Sequence, residues 1–233
     1  MNNDIYGHFL KDFYKSDLKG DVMLHNNYGE AEELPVDAFF RGEEDMPDVE
    51  VFALNLCEGK ILDIGAGTGT HSLVLQRNGL DVTAIELSQG ACEVMSLRGI
   101  KKITYSDVMS FKPEEKFDTL LMMMNGIGFC GYIEDLKLFL AHAKELLNNG
   151  GQILFDSSDV AYLYDEEGPE TESYYGEIDY QYDYDGKKGE WFSWLYIDIE
   201  MMKIVSEECG WNFQIIYQDE EDHYLGRLIA VPI

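Results

Sequence analysis

The chain predicts an α/β fold: a mostly parallel sheet with an antiparallel last strand and helices on both faces. Three observations carry this prediction. Short apolar segments alternate with helix-length amphipathic segments from Lys60 to Asp156. A glycine-rich turn joins the first of these strands to its helix. The last two apolar segments are separated only by the acidic loop Gln218 to Asp222, too short for a crossover, so they must pair antiparallel.

Each element follows from local chemistry. Ile5, Phe9, Leu10 and Phe13 recur at helical spacing between Asp4 and Leu18, giving a short amphipathic helix. Gly20 to Pro35 is polar and rich in turn formers, and Val36 to Cys57 is helical with a break at Met46-Pro47, where proline suits a first helical position. Lys60 to Ile64 is a buried strand, and Thr70 to Asn78 is a helix stopped by Gly79. The alternation then repeats: strand Asp81 to Glu86, a helix capped by Ser88 and stopped by Gly99, and strand Lys102 to Tyr105. Phe117 to Met124 is a strand, Glu134 to Leu147 a helix ended by Asn149-Gly150-Gly151, and Gln152 to Asp156 the next strand. Glu200 to Cys209 is a helix, and Trp211 to Tyr217 and His223 to Val231 complete seven strands.

Between Ser157 and Glu200 the rhythm changes. Ile178, Tyr180, Tyr182 and Tyr184 alternate with polar residues, Asp185-Gly186-Lys187-Lys188-Gly189 is turn chemistry, and Glu190 to Asp198 is a second aromatic strand. These make a small β-hairpin insertion. The organisation expected is an N-terminal helical cap region (1–57), a core (58–156), an aromatic hairpin insertion serving as substrate lid or interface (157–199), and the C-terminal part of the core (200–233).

Composition narrows the partners. With 17 Lys+Arg against 45 Asp+Glu, the formal net charge is −28. Such a field repels phosphate backbones and anionic lipid, which excludes nucleic acid and membrane surfaces as partners. No apolar run approaches the ~20 residues needed to span a bilayer. The opening Met1-Asn2-Asn3-Asp4 lacks a basic-then-apolar leader, and the four cysteines are scattered, so a cytoplasmic location is expected. Acidic runs such as Asp165-Glu166-Glu167 and Asp219-Glu220-Glu221-Asp222 lack metal-ligand spacing, and no metal is assigned.

The chemical signal lies in Asp63-Ile64-Gly65-Ala66-Gly67-Thr68-Gly69. Glycines there allow a tight turn and close approach of a ligand to bare backbone at a helix N-terminus. A nicotinamide-binding turn has two residues before its third glycine, whereas Thr68 alone precedes Gly69. Asp63 would repel a pyrophosphate but face a cationic ligand. Glu86, 17 residues after Gly69, ends the second strand where a carboxylate takes ribose hydroxyls, and Asp107 follows the third strand within reach of an adenine amine.

These motifs resemble the class I S-adenosylmethionine-dependent methyltransferase family, in an uncharacterised bacterial branch. Asp63 to Gly69 looks like that family's first motif, Ile85-Glu86-Leu87-Ser88 its second-strand acidic end, and Ser106-Asp107-Val108 its adenine-side acidic position. Phe117-Asp118 and Leu146 to Gly151 continue the match, with Asn149 where relatives often have proline. The resemblance implies a Rossmann-like seven-stranded sheet and S-adenosyl-L-methionine as cofactor. It places Gly65, Ala66, Gly67 and Gly69 along the methionine part, Asp63 orienting the loop and the amino group, Glu86 with Leu87 at the ribose, Asp107 and Val108 flanking adenine, and Asn125 near the sulfonium.

Methyl transfer is an in-line displacement that needs alignment and exclusion of water, with a base only where the acceptor loses a proton. His71 and Asp156 are positional candidates for that base. The ordinary alternatives are that His71 packs in the first turn of its helix and that Asp156 ties up nearby backbone amides. Arg41, after Phe39-Phe40, is placed to close over the cofactor carboxylate or else is a surface residue. The strand-four ending Asn125-Gly126-Ile127-Gly128 lacks the N-P-P-Y type sequence of nucleobase amino methylation. The function expected is methyl transfer to a small-molecule acceptor by a monomer or homodimer. The alternatives are a non-catalytic S-adenosylmethionine-binding module and an NAD(P)-dependent oxidoreductase.

Overall fold

The computed structural model describes residues 4–164 and 173–231. The acidic run Asp165-Glu166-Glu167 lies outside them. In chain order the elements are α1 (Ile5–Tyr14), β1 (Met23–Asn26), β2 (Glu32–Glu33), α2 (Asp48–Leu56), β3 (Lys60–Ile64), α3 (Thr70–Arg77), β4 (Asp81–Glu86), α4 (Gln89–Arg98), β5 (Ile103–Tyr105), β6 (Phe117–Met122), α5 (Ile133–Leu146), β7 (Leu147–Ser158), β8 (Glu177–Tyr184), β9 (Lys187–Lys188), β10 (Phe192–Leu195), α6 (Ile199–Glu208), β11 (Trp211–Gln218) and β12 (His223–Ala230).

Seven strands form one sheet in the order β11-β12-β7-β6-β3-β4-β5. The five from β3 to β7 are mutually parallel, and β12 runs antiparallel to both β7 and β11. Successive residues point to opposite faces, so Leu62, Leu120 and Ile153 pack with Leu136, Phe139 and Leu140 of α5 and Met202 and Val205 of α6. Ile61, Leu121 and Leu154 pack on the other face with Val49 and Ala53 of α2 and Val74 and Leu75 of α3. Burial on both faces is why these strands read as continuous apolar runs.

A second sheet, in the order β10-β8-β1-β2 with β9 beside β8, stands over one end of the first. Its centre is the aromatic hairpin, but the hairpin is paired on its far side by β1, with Leu24 opposite Tyr182 and Asn26 opposite Tyr180. The segment read as polar turns thus contributes strands. Four half-buried residues carry little periodic signal, and only the non-local ladder to β8 makes them a strand.

Local boundaries differ for identifiable reasons. Helix α1 stops at Tyr14 rather than near Leu18, because Ser16 adopts a left-handed φ of 57°. The region 36–57 is two short 3-10 turns, Val36–Phe40 and Glu43–Asp45, followed by α2 after Pro47. Strand β6 ends at Met122, two residues early, because Met124 and Asn125 have φ of 65° and 52°. Strand β7 starts directly at Leu147: its pairing jumps from Phe117↔Leu147 to Thr119↔Gln152, so the Asn-Gly-Gly segment bulges out of a strand.

Helix α1 docks on the start of α4 through a glycine-to-glycine crossing. A Cβ on Gly90 would lie 2.6 Å from the Cα of Gly7. Asp4 joins the two helices: its carboxylate accepts from the amide of Gly7 at 2.8 Å and from that of Gly90 at 2.9 Å, and also from the Ser88 hydroxyl. The expected outcome of Gly90→Ala is a loss of about 1–3 kcal/mol, since backbone cannot yield as a side chain does. Asp4→Ala is expected to cost about 1–2 kcal/mol through the two lost caps. Urea unfolding checks both against Gln89→Ala, an exposed neighbour expected within about 0.5 kcal/mol of the parent.

Candidate active site

The turn after β3 is shaped by three glycines with left-handed φ: 68° at Gly65, 56° at Gly67 and 79° at Gly69. A side chain at Gly69 would run into Ile100 and Met95, and one at Gly67 would lie 2.8 Å from the hydroxyl of Tyr6. Beside Gly65 a Cβ would meet nothing within 4 Å, so open space borders bare backbone there. The amides of Gly65 and Ala66 both donate to the carbonyl of Ile85 at the end of β4, at 3.0 and 3.3 Å.

Glu86, the last residue of β4, is 8% exposed. Its Oε2 accepts from the amide of Gly67 at 2.9 Å, and its Oε1 from the amides of Leu87 and Ser88 at 2.8 Å each. Burial pushes its pKa up, and those three donors pull it back. With one donor on Oε2, that oxygen retains a free lone pair for a ligand hydroxyl. Asp63, also buried, accepts from the Ser72 hydroxyl at 2.6 Å, which ties β3 to α3 beneath the loop. Burial raises its pKa as well.

The loop is covered from above. Phe39, at the end of the 3-10 turn, accepts through its carbonyl from the hydroxyls of Thr68 and Thr70. Tyr6 of α1 stacks on Tyr182 of β8 at 5.8 Å between ring centroids and meets Phe39 edge-on at 5.7 Å. Burial, and next the Glu86 charge, raise the pKa of both tyrosines, so each keeps its proton and can donate. Outward from Tyr6 opens a cavity of about 840 Å³ lined by Glu86, Leu87, Tyr105, Tyr182 and Phe192 among others. That volume suits a small ligand.

A second group gathers where β6 and β7 end. Asn125 holds its left-handed conformation through three hydrogen bonds to β7 and β10: its amide donates to Asp156 Oδ2 at 2.9 Å, its carbonyl accepts from Trp194 Nε1 at 3.1 Å, and its Oδ1 accepts from the Ser158 hydroxyl at 3.2 Å. Strained backbone held this firmly concentrates at functional sites. Asp156 Oδ2 also lies 2.8 Å from His223 Nε2, and its buried Oδ1 has no hydrogen-bond partner among the described residues. Arg41 pairs with Glu50 while its buried Nε is likewise without a partner, and Asp156 contributes to its electrostatic environment.

The structure therefore brings Glu86 and Leu87 to the edge of that cavity, sets Gly65, Ala66, Gly67 and Gly69 in the turn that Glu86 anchors, and gathers Asn125 with Asp156 at the neighbouring strand ends. Asp107 stands apart from that cavity: it is exposed, and its Oδ1 caps the turn Val108–Ser110 by accepting from Met109, while Val108 is buried. His71 is buried with its Nε2 2.8 Å from Glu50, and burial lowers its pKa. None of the cysteines is poised as a nucleophile, because burial pushes Cys57 up to about 12 and Cys92 to about 11 and raises the other two as well. Two contributors escaped the sequence reading. Tyr6 was one residue of an amphipathic helix with no sign of its target. His223 could have been found, since an antiparallel last strand starts at the end of the sheet where the parallel strands finish.

Residues 29–206 match a family model described as a methyltransferase domain. Over 98% of its length the chain is similar to an S-adenosylmethionine-dependent methyltransferase from Bacteroides fragilis, solved with S-adenosyl-L-homocysteine. The identity is 38%, the TM-score 0.91, and 95% of that chain is covered. The chain belongs to the S-adenosylmethionine-dependent methyltransferases. Demethylmenaquinone methyltransferase from Tropheryma whipplei is 28% identical over 102 residues, which span 41% of this chain and only 40% of that relative. The methyltransferase CcbJ from Streptomyces caelestis shares the fold, with TM-score 0.61 at 13% identity over 80% of this chain and 91% of that one.

Membership sets aside the nicotinamide alternative, and the residues present fit the family's cofactor. Open space beside Gly65, the spare lone pair on Glu86 and the orphaned Arg41 Nε are what a nucleoside carrying a methionyl carboxylate requires. Leu87, 64% exposed, gives the cavity an apolar edge. Glu86→Ala removes a charge-assisted hydrogen bond worth about 1.5–3 kcal/mol, so S-adenosylhomocysteine is expected to bind about 10- to 100-fold more weakly. Titration calorimetry reads this directly, and unchanged affinity would show that Glu86 does not touch the ligand.

Proposed function

We propose that this methyltransferase transfers a methyl group to a small molecule held between the ends of β6 and β7 and the second sheet. The observation that carries this reading is the hydrogen bond from Trp194 of β10 to the carbonyl of Asn125. Through it the second sheet abuts the strand ends at a turn of left-handed backbone. The field set by the net charge of −28 speaks against polyanionic acceptors.

When bound, S-adenosylmethionine supplies a methyl carbon already activated by its sulfonium. What remains for the chain is placement. Gly65 and Gly67 lie along the methionine part and Glu86 holds the ribose, with the Tyr6 and Tyr182 hydroxyls as further donors. Asp63 fixes the loop from beneath, Arg41 takes the methionyl carboxylate, and Asn125 borders the transfer point. Helix α1 and the aromatic strands exclude water, which strengthens each of these electrostatic contacts. On this reading residues 1–57 and 157–199 build the cover, and 58–156 with 200–233 build the cofactor-binding core.

The four free cysteines fit a reducing compartment, which supports a cytoplasmic location, and no helix among the described residues is long and apolar enough to cross a membrane. The exposed face around Trp191 leaves a monomer or a homodimer compatible with the cover. Incubating the protein with S-adenosylmethionine and fractionated small metabolites is expected to yield S-adenosylhomocysteine together with one metabolite heavier by CH2 in mass spectrometry. Turnover confined to protein or nucleic acid fractions would overturn the small-molecule assignment.

A further inference from the structure

The geometry points to His223, oriented by the buried carboxylate of Asp156, as the group that takes a proton from the acceptor, and to a protonated amine as the acceptor's chemical class. This inference rests on the methyltransferase reading.

His223 is the first residue of β12, which pairs antiparallel with β7 in the register Leu225↔Asp156 and His223↔Ser158. Asp156 and His223 are therefore diagonal neighbours on one face of the sheet, and their side chains meet at 2.8 Å. The carboxylate is 1% exposed, and its second oxygen is without a partner among the described residues. A buried carboxylate left half-satisfied costs free energy unless a ligand or a task completes it. The imidazole is one-quarter exposed and passes from that carboxylate to a cavity of about 530 Å³. With Nε2 turned to Asp156, its Nδ1 is left for the cavity side, 3.9 Å from Asp219.

Everything facing this imidazole is acidic or neutral. Asp156 faces it from β7, Asp219, Glu221 and Asp222 from the loop before β12, and Asp159 and Tyr162 from the segment after β7. Among the described residues, none that lines the cavity is Lys or Arg. The hydrogen bond to Asp156 leads the influences that raise the His223 pKa above its ordinary value. A negative field of this kind favours a cation and disfavours a carboxylate or phosphate acceptor. A cation that must become a nucleophile has to lose a proton first, and a histidine paired with a carboxylate is suited to receive it.

The step balances. An N–H proton of the ammonium passes to His223 Nδ1, and the freed nitrogen lone pair forms the N–C bond to the methyl carbon. The C–S bond breaks with its electron pair going to sulfur, which cancels the positive charge there. Asp156, 2.8 Å from Nε2, stabilises the imidazolium, and the proton leaves to solvent through the exposed edge of the ring.

Nuclear magnetic resonance of the His223 ring in the S-adenosylhomocysteine-bound protein tests this without a known substrate, with His223→Asn to assign the signals. n-Propylammonium is expected to shift the ring resonances saturably, while 1-propanol and propionate leave them in place. The ring should titrate above about 6.5, and Asp156→Asn should lower its midpoint by roughly one pH unit or more and abolish the response to propylammonium. A ring that ignores propylammonium, answers equally to propionate, or keeps its midpoint in Asp156→Asn overturns the assignment. Calorimetry on the same samples separates the two readings: absent S-adenosylhomocysteine binding defeats the methyltransferase reading, whereas intact binding with a silent ring defeats only the proton-acceptor role.

Discussion

Glu86 is one carboxylate that must be buried, charged enough to accept three backbone amides, and still open to a ligand. Its bond to Gly67 fixes the glycine loop against the end of β4, and its bonds to Leu87 and Ser88 fix the chain as it turns toward α4. Both segments are irregular backbone, which is costly to bury unless its donors are met. Meeting them with a single side chain makes loop position and ligand position one quantity. The rest of the site is arranged around that junction, with Asp63 and Ser72 below it and Tyr6 above.

The cover is built from two distant parts of the chain that need each other. Helix α1 is short, and its docking depends on Asp4 and the Gly7–Gly90 approach at the start of α4, immediately after the Glu86 junction. The hairpin of β8 and β10 has an edge that would be open without β1. Tyr6, Phe9 and Tyr182 close the space between helix and sheet by edge-on and stacked contacts.

The core was legible because its signals are local. Asp63 to Gly69, Glu86 and the helix stops at Gly79 and Gly99 each report a backbone or charge requirement within a few residues. The cover was not, because its signals are relational. Met23 to Asn26 becomes a strand only beside Tyr180 to Asp183, and Tyr6 acquires a role only once α1 lies on α4. Asp107 stands after β5, where the motif places it, and its Oδ1 caps the following turn by accepting from the amide of Met109. Asp156 was placed by strand order, and strand direction puts His223, first in the antiparallel β12, at the same end of the sheet; only their pairing across the register of β12 with β7 needed the structure.

Through Glu86 the glycine loop, the start of α4 and the α1 docked on it form one unit, so a ligand held at Glu86 should steady all three together. Amide hydrogen exchange with and without S-adenosylhomocysteine tests it most directly. Exchange is expected to slow together in residues 5–14, 65–70 and 86–91, with β11 and β12 unchanged. Protection confined to the glycine loop, with α1 exchanging as fast as before, would contradict it.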